Sequence, residues 1–225
     1  MSRGLFVAGT DTGVGKTLVA AALLRALAAA GTRAVGMKPV AAGVAPGASR
    51  SADVLALVAA SGVDAPAADV NRYAFAPAIA PHVAAEQAGV AIDVEAIAAA
   101  YGRLAARADV VVVEGVGGVL VPLGPRVDML DVPARLRLPV LLVVGIRLGC
   151  LNHALLSALA IAARGVALAG WIANRIDPAM EAQDASVAAL VRRLPAPLIA
   201  DLPFASRGAS APALPRDSLR ALGLG

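Results

Sequence analysis

The chain has 225 residues, which suits one well-buried domain and is short for two. Apolar residues make up 59% of the sequence. The separate apolar runs nevertheless stay well below the roughly 20 residues that cross a bilayer, which argues against a membrane protein. The net charge of +4 comes from scattered arginines without interleaved aromatic residues, so we also expect no nucleic-acid partner.

The cysteine count and the N-terminus indicate the compartment. Cys150 is the only cysteine, so no internal disulfide can form, as is usual in reducing surroundings. The N-terminal stretch "MSRGLFVAGTDTG" has no uninterrupted apolar core and resembles a first strand more than a secretion signal. We therefore expect a cytoplasmic protein.

In the first half of the chain, apolar runs alternate with alanine-rich helical patterns. "GLFVAG" predicts a strand and "KTLVAAALLRALAAAG" a helix. "RAVGMKPV" predicts a second strand, broken by Pro39, and "SADVLALVAAS" a helix that Ser51 caps. The proline-rich segment 65–89 is expected to be mainly loop.

The second half continues the alternation. "DVEAIAAAYGRLAARA", "DMLDVPARLRL", "LNHALLSALAIAARG" and "MEAQDASVAALVRRL" predict helices between the strands "DVVVVEGVGG", "PVLLVVGI", "VALAGWIANRI" and "PLIADLP". A tail from about residue 205 is expected to be partly irregular and to close with a turn or two of helix. The pattern predicts a single α/β domain over 1–225 with a doubly wound, mainly parallel sheet, in which ligands collect at the carboxyl ends of the strands.

The segment "GTDTGVGKT", residues 9–17, lies between the first strand and the first helix. Gly13 and Gly15 allow the backbone N–H groups to turn toward a phosphate, and the helix adds its positive N-terminal end. Lys16 is placed to contact the outer phosphates and Thr17 to ligate magnesium. Thr10 stands where the usual pattern has its first glycine. A tight turn without a ligand would explain the glycines but not the Lys-Thr pair.

Two lysines and two carboxylates complete the set of candidate residues. Lys16 and Lys38 are the chain's only lysines, against eighteen arginines, which favours a specific use for the ammonium group. Glu114 ends a buried strand, where nucleoside triphosphatases hold magnesium or its water. Asp53 is a second candidate ligand. An ordinary strand-end acid and a favourable first-turn acid remain alternatives for these two carboxylates.

The order and spacing of seven segments resemble the dethiobiotin synthetase family of the biotin pathway: "GTDTGVGKT", "KPVAAG", "SADVLAL", "APHVAA", "EGVGGVLVP", "LGCLNHALLSA" and "GWIANRI". The resemblance covers most of the chain and implies a P-loop NTPase-like fold. It also implies an ATP-dependent cyclo-ligase reaction. 7,8-Diaminononanoate and CO2 form a carbamate, ATP phosphorylates it, and the second amine displaces phosphate to give dethiobiotin and ADP.

The resemblance assigns roles to individual residues. It implies Lys38 and Lys16 as catalytic residues and Mg2+ bound by Thr17, Asp53 and Glu114. It implies that ATP is bound by Gly13, Val14, Gly15, Lys16, Thr17, Asp53, Glu114, Gly115, Val116, Gly117, Asn174, Arg175, Leu202, Pro203 and Phe204. Within that set, Asn174 would read the adenine edge. Substrate binding falls to Thr12, Lys38, Gly117, Cys150, Leu151 and Asn152, the last three contributed by the partner subunit of a homodimer.

Two positions depart from the family pattern, and one alternative function stays open. Ala42 replaces a hydroxyl-bearing residue, and Gly13 stands where some members carry glutamate; both affect details of substrate affinity. For Asn152 a plain helix cap is the simpler interpretation, and both roles can hold at once. The alternative function is a ParA/MinD-like switch ATPase, whose loop carries a lysine where this chain has Asp11.

Overall fold

The computed structural model describes residues 3–45, 47–48, 50–205, 213–215 and 217–225. Within these ranges the elements, in chain order, are β1 (Arg3–Gly9), α1 (Lys16–Ala29), β2 (Ala34–Met37), β3 (Val40–Ala42), α2 (Ala52–Ala60), α3 (Ala67–Val70), β4 (Tyr73–Phe75), α4 (Pro81–Gln87), α5 (Val94–Ala105), β5 (Val110–Glu114), α6 (Asp131–Leu136), β6 (Val140–Ile146), α7 (Cys150–Ala163), β7 (Leu168–Arg175), α8 (Gln183–Arg193), β8 (Leu198–Leu202) and α9 (Ser218–Ala221).

The main sheet has six parallel strands in the order β2-β5-β1-β6-β7-β8. β5 and β6 are buried along their whole length, as their continuous apolar sequences predict. β1 lies between β5 and β6. The connections from the two sides of β1 therefore run in opposite directions along the sheet. The loop after β1 therefore opens at the point where doubly wound sheets bind ligands.

Side chains of β1 alternate between two cores, one on each face of the sheet. Phe6 and Ala8 belong to the core that includes side chains of α5 and α7. Leu5 and Val7 pack in the other core, with leucines of α1 and α2. Alternate residues of a strand point to opposite faces, so helices on both sides are needed to bury them. This confirms the predicted doubly wound architecture.

The prediction of mainly loop over 65–89 was wrong. The segment forms α3, β4 and α4, and β4 pairs in parallel with β3 as a separate two-stranded sheet. Two of the segment's three prolines stand at helix starts: Pro66 is the N-cap of α3, and Pro81 is the first residue of α4. Proline's fixed φ and missing N–H are harmless at a helix start.

Other local predictions were confirmed. Pro39 separates β2 from β3, and the Ser51 hydroxyl caps α2 by accepting from the Val54 N–H at 3.3 Å. Of the predicted irregular tail, residues 206–212 and 216 lie outside the described part of the chain, and α9 is the single helical turn expected near its end. In the described residues no helix has the length and apolar character needed to cross a bilayer.

Candidate active site

The loop between β1 and α1 has the backbone that its glycines predict. Gly13 and Gly15 have φ of 75° and 94°, in the left-handed region that side chains rarely adopt. A Cβ at Gly15 would lie 2.2 Å from the Asn174 amide nitrogen, so glycine is required there for space as well. α1 begins at Lys16 without a side-chain cap, so its first N–H groups remain available to an anion.

A cavity of about 1100 Å³ opens in front of this loop. The predicted site residues that line it are Thr12, Gly13, Gly15, Lys16, Thr17, Lys38, Asp53, Glu114, Val116 and Gly117. The structure thus brings together the phosphate loop, both lysines and both predicted carboxylates, from four separate parts of the chain. Ala42, one of the two departures from the family pattern, also lies in the wall.

Lys38 is the centre of a buried charge network. Its ammonium contacts the Glu114 carboxylate, lies 3.0 Å from Asp53 Oδ2 and donates to the Gly115 carbonyl at 3.1 Å. The Thr17 hydroxyl donates to Glu114 Oε1 at 2.8 Å. Two cavity carboxylates and a carbonyl therefore fix the position of one ammonium group that is only 3% exposed.

The charges in this network shift one another's pKa values. Burial opposes the charge on Lys38, but Glu114 and Asp53 outweigh it and raise the pKa of Lys38. Burial also works against the Asp53 carboxylate, yet Lys38 and the Thr17 hydroxyl lower the pKa of Asp53 overall. Both groups are therefore charged near neutral pH.

Lys16 lies in a different environment. Its ammonium donates to the Asp11 carbonyl at 2.8 Å and has no carboxylate in direct contact among the described residues. Burial, reinforced by the positive charge of Lys38, lowers the pKa of Lys16 to about 8. The free protein thus holds a buried cation with little compensation, and an anion entering the cavity would supply it.

The carboxylate end of the cavity fits a magnesium ion. Glu114 Oε2 is buried and has no hydrogen-bond partner in the described structure, although such a group normally has one. Thr17, Asp53 and Glu114 offer the oxygen donors that magnesium prefers. In the described ranges no three His, Cys, Asp or Glu side chains gather to hold a metal. An ion here therefore needs further ligands from phosphate or water.

Comparison with known proteins identifies the family. The family model described as "AAA domain" matches residues 3–208. The ATP-dependent dethiobiotin synthetase BioD of Nitrosospira multiformis is 53% identical over 204 residues, which are 91% of this chain and 89% of that protein. The enzyme of the same name from Aromatoleum aromaticum is 54% identical over 203 residues, or 89% and 90% of the two chains. The chain belongs to the dethiobiotin synthetase family.

Solved structures of other proteins share the fold of this dethiobiotin synthetase family member. The MinD cell division protein of Aquifex aeolicus matches 99% of the chain and 87% of its own, with a TM-score of 0.58 and 17% identity. The cell division protein FtsY of Thermotoga maritima matches 100% of the chain and 69% of its own, with a TM-score of 0.55 and 17% identity. At such low identity these likenesses show the P-loop NTPase fold alone.

The residues predicted to hold the adenine end lie outside the cavity wall. Asn174 Nδ2 donates to the Val14 carbonyl at 2.8 Å, so this amide braces the phosphate loop. The Arg175 guanidinium donates hydrogen bonds to the Asp201 and Asp184 carboxylates, and these bonds raise the pKa of Arg175. Of the segment 202–204, Leu202 is buried, while Pro203 and Phe204 are exposed. Their roles toward ATP remain predictions.

The predicted substrate-carboxylate residues lie at the start of α7 and do not line the cavity of their own chain. Cys150 is buried, whereas Leu151 and Asn152 are exposed. The N-cap of α7 is Gly149, with φ of 92°, so the alternative interpretation of Asn152 as a helix cap was wrong. The exposed position agrees with a contribution to a partner's site, which remains a prediction.

Sequence reasoning missed two parts of the cavity. Residues 78–81 form one wall and belong to the segment that we expected to be loop, and Val121 and Pro122 form another. It also missed Asn71, whose side chain contacts the backbone of Lys38. These contributions depend on which strands pair and on how the chain returns to Lys38, for which the local sequence offers no signal.

Proposed function

We propose that the chain closes the ureido ring of dethiobiotin from 7,8-diaminononanoate, CO2 and ATP. The observation that carries the proposal is the match over about nine tenths of both chains to relatives named ATP-dependent dethiobiotin synthetase BioD. The cavity supports it, because both of the chain's lysines line it together with two carboxylates and a phosphate-binding loop.

The proposed reaction has three bond-forming steps. One amine of the substrate attacks CO2 and loses a proton, which gives a carbamate. A carbamate oxygen then attacks the γ-phosphorus of ATP, and ADP leaves with the electrons of the broken P–O bond. The second amine attacks the carbonyl carbon of the mixed anhydride and loses a proton, which closes the ring as the C–O bond breaks and phosphate leaves. The second step brings two anions together, so it needs fixed positive charge.

The two lysines are suited to different parts of that task. Lys38 is held in place by Glu114, Asp53 and the Gly115 carbonyl, so its charge is fixed before substrate arrives. Among the residues that the structure describes, Lys16 has only the Asp11 carbonyl as a direct partner and can turn toward phosphate oxygens. We assign Lys38 to the transferring phosphoryl group and the carbamate, and Lys16 to the β- and γ-phosphates.

Magnesium belongs to the proposal as the ion that accompanies ATP. Thr17, Asp53 and Glu114 are the residues that would hold it, and the unpartnered Glu114 Oε2 supports this assignment. When bound, the ion neutralises phosphate charge. Thr12 and Gly117 line the same cavity and are assigned to the substrate. Asn174, Arg175 and the segment 202–204 are assigned to the nucleotide end, where they bind or support the base.

The protein is further proposed to act as a homodimer. α7 and the residue before its N-cap expose four leucines to solvent: Leu148, Leu151, Leu156 and Leu159. Several exposed large apolar side chains on one short element favour an interface there. Pairing through this face would bring the start of α7, with Cys150, Leu151 and Asn152, to the substrate site of the other subunit. We place the protein in the cytoplasm, consistent with its single, unpaired cysteine.

The switch-ATPase alternative has only the distant likeness to MinD in its favour, and this likeness shows fold alone. At the position where that class carries a lysine, Asp11 instead forms an ion pair with Arg147. We therefore do not propose it.

The test is to incubate the purified chain with diamine, bicarbonate, ATP and magnesium, and to follow dethiobiotin and ADP. The wild type should form dethiobiotin, and Lys38→Ala should not. Arg72→Ala is the control, since Arg72 is exposed and lies outside the cavity. ATP hydrolysis that is indifferent to the diamine, without dethiobiotin, would overturn the proposal.

A further inference from the structure

The backbone of Lys38 leaves the main sheet at its edge. β2 ends at Met37 and is the outermost strand, so the Lys38 peptide groups find no partner in the six-stranded ladder. Both groups are instead bound by the last residue of α3 and by the residue that caps it. The Lys38 N–H donates to the Val70 carbonyl at 2.8 Å, and the Lys38 carbonyl accepts from Asn71 Nδ2 at 2.6 Å.

The Asn71 amide makes two such bonds, and their chemistry is specific. Besides the Lys38 carbonyl, Nδ2 donates to the Tyr73 carbonyl at 3.0 Å. Both partners can only accept, so the position needs a group with two hydrogens to donate. An aspartate has the same shape but would place oxygen against two carbonyl oxygens. Asparagine is therefore required for its donors rather than for its volume.

The backbone of Asn71 is fixed by the helix that precedes it. Its backbone N–H donates to the Ala67 carbonyl at 2.9 Å, which makes Asn71 the C-terminal cap of α3. α3 is tied to α5 by buried Asp69, which accepts from Arg103 Nε at 2.8 Å. A chain of contacts thus runs from the helix layer through Asn71 to the backbone of Lys38.

We infer that Asn71 is a positioning residue for Lys38. The inference rests on the proposed function, in which the Lys38 ammonium acts on the transferring phosphoryl group. Asn71 does not line the cavity, so it can affect the reaction only through its neighbours. Hydrogen bonds to both the N–H and the carbonyl of Lys38 fix its backbone, which keeps the ammonium in contact with Glu114 and Asp53. Small displacements of a catalytic group lower the reaction rate strongly.

The test compares Asn71→Asp, Asn71→Ser and Arg72→Ala. Asn71→Asp keeps the shape and removes both donors, while Asn71→Ser keeps one donor. Arg72→Ala alters the next residue, which is exposed. For each variant, kcat, KM for ATP, KM for the diamine and the thermal midpoint are measured. We expect Asn71→Asp to lose on the order of 10-fold to 100-fold in kcat with KM for ATP nearly unchanged. Asn71→Ser should lose less, and Arg72→Ala nothing.

The outcomes separate this inference from the proposed function. A wild type that makes no dethiobiotin contradicts the proposed function. A productive wild type whose Asn71→Asp and Asn71→Ser variants keep kcat within about 2-fold contradicts the positioning role. So does a loss in which KM for ATP rises as much as kcat falls, since that would indicate general damage to the cavity. If Asn71→Asp does not fold, the neutral Asn71→Ser variant decides by the same kcat criterion.

Discussion

Replacing Lys16 with methionine should stabilise the free protein while weakening its binding of ATP. The pKa of Lys16 falls from 10.5 to about 8 on folding, because the ammonium is buried. The charged form is thus disfavoured in the fold, and at about 1.4 kcal/mol per pKa unit the penalty is roughly 3 kcal/mol. Methionine also loses the hydrogen bond to the Asp11 carbonyl, worth about 1 kcal/mol, which leaves a net gain of about 2 kcal/mol.

The sign of the pH dependence follows from the same shift. Below pH 8 the lysine is protonated in both the folded and unfolded states, and the fold bears the full penalty. Between pH 8 and 10.5 the folded protein loses the proton while the unfolded chain keeps it, so the free energy of unfolding of the wild type rises relative to Lys16→Met. The advantage of the variant should therefore shrink as pH increases through this window.

Urea unfolding at pH 7 and pH 10 measures the effect, with Arg25→Met, an exposed position on the same helix, as the control. We expect Lys16→Met to be more stable at pH 7 by about 2 kcal/mol, with a smaller difference at pH 10. The control should change little at either pH. Two results would refute the reasoning from burial. One is a Lys16→Met variant that is less stable than the wild type at pH 7, and the other is a difference in free energy of unfolding that is the same at both pH values. Calorimetric titration with a non-hydrolysable ATP analogue should show affinity lower by about 10-fold or more.

Three further predictions concern the loop and the proposed interface. Gly15→Ala should lower the free energy of unfolding by at least about 1 kcal/mol and prevent nucleotide binding, since φ is 94° and the new Cβ would meet Asn174. A normal thermal midpoint with intact binding would contradict this. Asn174→Ala should weaken binding of an ATP analogue by about 5- to 10-fold, because the Val14 carbonyl loses its donor. Unchanged affinity in calorimetry would show that the hydrogen bond from Asn174 to the phosphate loop does not matter for binding. Leu159→Glu should yield monomers in light scattering after size exclusion, since Leu159 is 68% exposed on α7 and belongs to the proposed interface. A persistent dimer would place the interface elsewhere.

The phosphate loop could be predicted because its information is local. A strand, two glycines at the required spacing, the Lys16–Thr17 pair and a helix follow one another without interruption. Glu114 could be placed for a similar reason, since it ends a continuous apolar run whose carboxyl edge must lie beside the loop after β1. In the structure, β1 and β5 are indeed neighbours, with Val7 opposite Glu114.

The small sheet could not be predicted from local pattern. β3 and β4 have three residues each and pair in parallel across a separation of about thirty residues, so neither strand shows a convincing period by itself. The prolines around β4 suggested loop, but Pro66 and Pro81 stand at helix starts. The Asn71 side chain acts by donating to the carbonyls of Lys38 and Tyr73. The Lys38 carbonyl is distant in sequence and reaches Asn71 only in the folded chain.

Arg175 shows a related limit of sequence reasoning. An arginine at the carboxyl end of a strand, next to Asn174, is a reasonable candidate for contact with a nucleotide. In the structure, Asp201 and Asp184 occupy its guanidinium, and both come from elements later in the chain. Ion pairing between separate elements is set by packing, which a pattern within one strand does not encode.

The most direct test of the central claim is to supply carbon-13 bicarbonate with diamine, ATP and magnesium, and to quantify labelled dethiobiotin by mass spectrometry alongside ADP. We predict that the wild type forms dethiobiotin carrying the label in its ring carbonyl, in amounts equal to the ADP released, and that Lys38→Ala forms neither product above background. ADP release that does not depend on the diamine, with no labelled dethiobiotin, would contradict the assignment of this cavity to urea ring closure.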